Sequence, residues 1–455
     1  MELIYILSLE CFFSFVAFHY GGFYAGIAFS LLSGLFCALG LKKNRILLFF
    51  APVLFCLRLL TLVSDASYAV GERISVLADL ADGRGRIEKM HGKVPLRKSY
   101  CKVAYIRDGR YDITGSVTKI ERFADTLTYT IAKEEAALRP PNPVARYFIR
   151  KAESLTENTT LAFRNLFMAV VLGDAGRLDR DTRALFSYTG TSHLLALSGL
   201  HIGLVFTFML FAASKLPIMR NKRYLLVLAA ITVYFAGVKN SPSLSRAWTM
   251  VVITTLGKLL YENVDTEKSL AASLLLGMFI NPPVLREVSL KLSYLAVAAI
   301  VSFYPLVKKT ARIGKAKWLN FVCLTLTIQF FLTPILIREF EAIPFLAFLT
   351  NLVMLPVGSV FISLAFGCLL LSNFGLGQLL IPLAEPAYAI FMWLLQRFHR
   401  LPWLTLNAPF QMPDFALWGF YGALFAFIFY RKYKEENIRF RGEGLVVKDG
   451  KGGPS

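Results

Sequence analysis

Cysteine, histidine and negative charge are all scarce in this chain. Six cysteines occur in 455 residues, and Cys11, Cys37, Cys56, Cys323 and Cys368 sit inside apolar runs. Only Cys101 lies in a polar region, so that region closes no disulfide of its own, and no Cys-x-x-Cys pair offers a metal site. Charged residues make up 18% of the chain, with 30 Asp+Glu against 50 Lys+Arg, and there are five histidines. No Gly-x-x-x-x-Gly-Lys-Ser/Thr loop is present to cradle a nucleotide. The start, Met1-Glu2, lacks the leading basic residues of a secretory signal, and Lys42-Lys43-Asn44-Arg45 comes only after the second apolar block.

Apolar residues are what the chain has in excess: 56%, or about 255 residues, with a mean hydropathy of +0.54. A bilayer-crossing helix needs roughly 20 of them, so ten to twelve spans nearly exhaust the supply. A soluble enzyme, a disordered chain and a secreted disulfide scaffold are excluded. The expected fold is a polytopic α-helical membrane protein of about 10–12 spans with a small extracytoplasmic β-rich domain. The net charge of +20 fits first of all basic cytoplasmic loops, with the attraction of a polyanion such as nucleic acid as the second reading.

Five segments follow from the patterning. Apolar blocks at 3–17, 22–40 and 46–63 make residues 1–64 a three-helix membrane segment. With the basic turn at 42–45 in the cytoplasm, the N-terminus lies inside and residues 65–190 lie mostly outside. Residues 65–140 read as a β domain, with alternating strands at 101–107, 111–117 and 126–131 and a hairpin turn at Asp108-Gly109. After the stiff Pro140-Pro141-Asn142-Pro143 linker, residues 141–190 form an amphipathic helical connector. Its apolar positions are Leu161, Phe163, Leu166, Phe167 and Val170, with Arg164 and Asn165 on the polar side.

Residues 191–431 return to the bilayer in nine predicted spans, at 193–214, 224–238, 245–261, 268–281, 289–306, 317–337, 344–371, 376–397 and 414–431. Basic turns at 215–223 and 308–317 and the tail at 431–441 all fall on the cytoplasmic side, leaving 432–455 as a cytoplasmic basic tail. Pro356 and Gly358 predict a break or re-entrant turn in 344–371, and the short spans 224–238 and 268–281 suggest half-helices beside a cavity.

Polar residues in or beside these spans are the costly ones. Gly190-Thr191-Ser192-His193 through Ser198-Gly199-Leu200-His201 places two histidines and several hydroxyls at the start of a span. Three readings compete: close helix packing with interhelical hydrogen bonds, a polar lining for a translocation path, and catalysis. The last is poorly supported. Leu197-Ser198-Gly199 lacks the Gly-x-Ser-x-Gly elbow, and His193 and His201 are eight apart rather than the four of a zinc-binding helix. Ser243 and Arg246 follow Pro242, where Arg246 either snorkels to the headgroups or faces a water-filled path. Lys291 and Ser293 lie on the next-but-one span, and Gln329 with Pro334 and Asn351 with Pro356 on two more. Polar positions spread over several spans suit a conduit better than one catalytic centre.

Leu172-Gly173-Asp174, followed by Phe186 through Gly190 and by His193-Leu-Leu-Ala-Leu-Ser198-Gly199-Leu-His201-Ile, resembles the signature of the ComEC competence family. Pro242-Ser243 with Arg246-Ala247 is similar to its Arg-Ala segment, Leu290-Lys291-Leu292-Ser293 to its Phe-Gln-Leu-Ser segment, and Asn351 to Pro356 to its Asn-x-x-x-x-Pro stretch. The resemblance implies an inner-membrane channel for single-stranded DNA, preceded by an OB-like domain. It makes His193, Ser198, Gly199, His201, Ser243, Arg246, Lys291, Ser293, Gln329 and Asn351 lining or structural residues. Tyr105, Tyr111, Phe123 and Tyr129 are candidate base-stacking residues, against the alternative that they pack the barrel.

Three departures qualify the likeness. Lys291 replaces a usual glutamine and Ser289 a usual glycine, and Cys101 cannot make the disulfide found in longer relatives. No His-x-His-x-Asp-His motif occurs in these 455 residues, so the expectation is a channel with no cofactor, metal or nuclease step. The implied partners are single-stranded DNA, membrane lipid, a DNA receptor outside and an ATP-driven helicase or translocase inside, with homo-oligomerisation a further expectation. The rivals are a transporter of another anionic or lipidic substrate and an intramembrane hydrolase using Ser198 and His201.

Overall fold

The structure, a computed structural model, describes residues 63–427 apart from 65–67, 82–83, 96–97, 105, 107–108, 124–125, 139–140, 196, 263, 281–286, 311–315, 341, 344–346, 402–405, 408–412, 414–415, 418 and 425–426. The expected three-helix segment, the basic tail and Tyr105 therefore lie outside the described residues. The described residues form two compact units. One comprises those up to Ser187 with Thr191–Ser293 and Met354–Gln396; the other comprises Tyr188–Gly190, Tyr294–Val353 and those from Arg397 onward.

Five strands of the first unit close into a barrel: β1 (Arg73–Ala81), β2 (Arg84–Met90), β3 (Lys98–Val103), β4 (Gly109–Phe123) and β5 (Thr126–Leu138). The order around the barrel is β1-β2-β3-β5-β4, closing back onto β1. All neighbours are antiparallel except β3 and β5, which run parallel. Strict alternation puts Leu127, Tyr129 and Ile131 of β5 inward, where they meet Ile74, Val76, Ile87, Cys101, Ile113 and Val117 in one apolar core. The hairpin expected at 108–109 does not form, because β3 pairs with β2 and β5 on its two edges and has none left for β4. The hairpin is made instead by β4 and β5.

Next come α1 (Pro143–Leu155) and α2 (Leu161–Leu172), two helices where the sequence suggested one stripe. Asn142 caps α1 by accepting from Ala145 N–H at 2.6 Å, with Pro143 in the first turn. Thr160 caps α2, and Arg164 donates from Nε and Nη2 to Thr156 O in the junction. Phe163 is buried and α2 is buried on all sides from Leu166 to Leu172, but Leu161 is exposed, contrary to the expected stripe. Gly173 ends α2 at φ +75°, a left-handed cap suited to glycine.

The remaining helices of this unit are α3 (Arg180–Tyr188), the single turn α4 (Ser192–Leu195), α5 (Gly199–Ser214), α6 (Arg220–Gly237), α7 (Pro242–Leu259) and α8 (Thr266–Ile280). α9 (Val288–Ala298) continues through a π-helical turn (Ala299–Phe303) into α10 (Tyr304–Thr310). α11 (Lys317–Phe340), α12 (Ala347–Leu371) and α13 (Ile381–His399) follow.

Four helical stretches among the described residues are long and apolar enough to cross a bilayer: Val288–Lys309, Trp318–Phe340, Phe348–Phe374 and Gly377–His399. The described residues are thus mostly helical with a small barrel, and the four stretches are compatible with a membrane protein. α12 is continuous over 25 residues with Pro356 inside it, so the expected break is absent. Long apolar helices tolerate proline where neighbouring groups take up the freed carbonyl.

Candidate functional site

The polar groups singled out in sequence converge where α5 and α7 begin. Ser198 is the N-cap of α5 and His201 its third helical residue, and the two form a reciprocal cap. His201 Nδ1 accepts from Ser198 N–H at 3.1 Å and lies 2.9 Å from Ser198 Oγ. The ring is fully buried, Nε2 has no hydrogen-bond partner among the described residues, and Phe366 of α12 lies 6.0 Å away between ring centroids. An unpartnered buried imidazole nitrogen is costly, so a capping role alone does not account for it.

The start of α7 is tied to that of α5. Ser241 caps α7 by accepting from Leu244 N–H at 3.1 Å, and its hydroxyl donates to Leu197 O at 2.9 Å. Arg246, 7% exposed, lays its guanidinium against Gly199. A Cβ at residue 199 would sit 2.8 Å from Nη2, so any larger residue there would make the end of the arginine shift. Ser243 Oγ and Ser293 Oγ are 2.8 Å apart, which joins α9 to the cluster. The end of α2 closes the group. Leu172 O accepts from Lys239 N–H at 2.9 Å, and Tyr234 Oη donates to Val171 O at 2.5 Å.

The geometry thus brings together Ser198, Gly199, His201, Ser243, Arg246 and Ser293. His193 stays exposed on α4, within electrostatic range of His201. Lys291 is half-buried on α9. Gln329 and Asn351 belong to the second unit: Gln329 O accepts from Thr333 Oγ1 at 2.8 Å, and Asn351 Oδ1 is buried without a hydrogen-bond partner among the described residues. Sequence reasoning passed over Ser241 and Tyr234. A Ser-Pro pair opening a helix is a cap signal and would have found the first; nothing local marks the second.

The serine–histidine contact has the elements of a nucleophile and base but not their arrangement. Nδ1 is occupied by the cap, and no third group among the described residues orients the ring from Nε2. Among the described residues no three His, Cys, Asp or Glu side chains could hold a metal ion.

Two ion pairs fix the barrel at this same end of the helices. Asp79 of β1 meets Lys239 Nζ at 2.5 Å, and Arg86 of β2 pairs with Glu287 just before α9. On the barrel, Tyr129 is 1% exposed and packs in the core, so it offers no face to a base; this corrects its assignment as a stacking residue. Tyr111 is only partly buried against that core, and Phe123 ends β4. Tyr100 of β3, which the sequence reading missed, is exposed and sits opposite Arg86. Lys102 and Lys119 hold the Glu121 carboxyl down at about 2. Burial pushes the Cys101 thiol up to about 12, which leaves it inert.

A family model described as Competence protein matches residues 170–434. ComE operon protein 3 of Bacillus subtilis (strain 168) is 24% identical over 191 residues, 42% of this chain and 24% of that protein. Recombination protein 2 of Haemophilus influenzae (strain ATCC 51907 / DSM 11121 / KW20 / Rd) is 24% identical over 216 residues, 44% of this chain and 27% of that protein. The chain thus spans about a quarter of the length of these curated relatives. No solved structure matches. The matched residues hold α5 through α13 and every member of the polar cluster, and the chain belongs to the competence protein family.

Proposed function

We propose that this chain passes single-stranded DNA through the bacterial inner membrane during DNA uptake. The observation that carries the reading is the polar cluster of Ser198, His201, Ser243, Arg246 and Ser293 at the ends of three helices, with a barrel held beside it by Asp79–Lys239 and Arg86–Glu287. A strand of DNA brings one negative charge per nucleotide, and its path needs polar groups and fixed cations in place of lipid. The barrel's order, with β3 parallel to β5, supports an OB-like domain, a fold suited to single strands.

In this reading the barrel and the cluster face the extracytoplasmic side. The basic turn between α5 and α6 lies at the other ends of those helices, in keeping with cytoplasmic placement. A receptor delivers DNA from outside and an ATP-driven translocase pulls from inside. The chain itself performs no covalent step.

The test is complementation of a competent bacterium that lacks its own competence channel. Restored transformation supports the reading. Failure, with the chain inserted in the membrane and the outer domain showing no affinity for single-stranded DNA, would favour a different anionic substrate.

A further inference from the structure

α1 divides sharply into two faces. At 100° per residue Val144, Phe148, Ala152 and Leu155 share one side, and Phe148 packs edge-on to Tyr234 at 5.9 Å and against Gly237 near the end of α6. The other side carries Pro143, Arg146, Tyr147, Arg150, Lys151 and Ser154, which line a groove of about 520 Å³. Three cations and two hydroxyls share it. Glu153, the carboxylate within α1 itself, is engaged by Arg177 at 3.3 Å. Arg146 and Arg150 are exposed and make no ion pair among the described residues.

The position of this groove narrows its ligand. Lys151 Nζ donates to Ser372 O at 2.9 Å, and Tyr147 Oη bonds to Asn373 Oδ1, so the groove sits at the end of the apolar stretch Phe348–Phe374. That is headgroup depth for a helix that crosses the bilayer. Just beyond Asn373 the surface turns apolar, with Phe374 77% exposed and Leu379 70% exposed. A cationic, hydroxyl-bearing groove tied to Ser372 and Asn373, with exposed apolar residues next along the chain, fits an amphiphile with an anionic head. A nucleic acid would use the arginines but not the apolar residues.

We infer that the groove on α1 binds the phosphodiester headgroup of an anionic phospholipid, with its acyl chains along Phe374 and Leu379. Arg146 and Arg150 supply charge-assisted hydrogen bonds to the phosphate, and Tyr147 and Ser154 are placed for the glycerol oxygens. This inference goes beyond the proposed DNA passage and does not rest on it.

The test uses the full chain in neutral detergent with dioctanoyl phosphatidylglycerol as the probe and dioctanoyl phosphatidylcholine as its zwitterionic counterpart. The phosphatidylglycerol should bind more tightly than the phosphatidylcholine. The double variant R146Q/R150Q should weaken it roughly tenfold or more, the loss expected for two charge-assisted bonds. R146K/R150K should retain most of the binding, and R84Q, on the barrel, should leave it unchanged. Equal affinity for the two lipids, or unaltered binding by R146Q/R150Q, overturns the inference. Loss of binding in R146K/R150K as severe as in R146Q/R150Q, with unchanged thermal unfolding, also contradicts a charge-based site. So does displacement of the lipid by a single-stranded oligonucleotide, which would make the groove a nucleic-acid surface.

Discussion

The barrel and the helix ends beside it solve opposite problems with polar groups. In the barrel, charge is kept outside: Lys102, Lys119 and Glu121 pair on the surface, while Ile74, Ile87, Ile113 and Tyr129 fill an apolar interior. At the starts of α5 and α7 the arrangement is inverted, and His201, Arg246 and Ser243 are buried among apolar helices. The first pattern is what stability alone selects. The second costs stability wherever a buried group lacks a partner, as His201 Nε2 does, and so marks the region where function sets the residues.

That contrast can be broken in graded steps. The largest effect is expected from Arg246→Ala, which should abolish transformation in a complemented strain while membrane insertion, followed by immunoblot of the membrane fraction, is preserved. In the barrel, Ile113→Ala should instead cost about 3 kcal/mol of barrel stability by leaving a cavity, read as a lowered midpoint of thermal unfolding. Next comes Ser198→Ala, which removes half of the α5 cap and should cost about 1 kcal/mol.

Smaller still is the docking pair. Lys239→Glu should loosen the barrel by less than about 1 kcal/mol, since both partners are solvent-accessible, and the added exchange Asp79→Lys should restore it. Limited proteolysis of the purified protein would read this, and an unrescued double variant would show that the pair does not hold the barrel.

Smallest is the pH response of Glu121. Its folded value of about 2 lies below the ordinary carboxylate range, so its contribution is present above about pH 4 and lost as pH falls through about 2. Barrel unfolding should therefore show no step from this residue between pH 7 and 5 and a loss only in more acid solution, and Lys102→Met should shrink that loss by letting the carboxyl return toward its ordinary value.

Much of the helical part was legible in the sequence because apolar runs and basic turns carry it directly. The stretches at 289–306 and 317–337 fall within observed helices and 376–397 overlaps α13 from Ile381 onward, while the residue types and spacing alone mark Ser198, Gly199, His201, Ser243, Arg246 and Ser293. The failures share one cause, contacts between distant residues. The Asp108-Gly109 signal is local, whereas the parallel pairing of β3 with β5 that overrides it joins Lys98 to Thr126. Tyr129 could not be placed on the core or outer face without the phase of β5 in the closed barrel. Pro356 predicts a break by a local rule that packing in a long helix overrules. The Asp79–Lys239 pair spans 160 residues of chain and leaves no trace in either segment.

The central claim is that His201 is buried for function and not merely to cap α5. His201→Gln tests it directly, because glutamine at the third helical position can accept from the Ser198 amide and keep the cap. Transformation frequency would be measured in the complemented strain alongside thermal unfolding of the purified protein. The account predicts near-normal unfolding with transformation reduced to background. Normal transformation by the glutamine variant would contradict it and return His201 to a structural role.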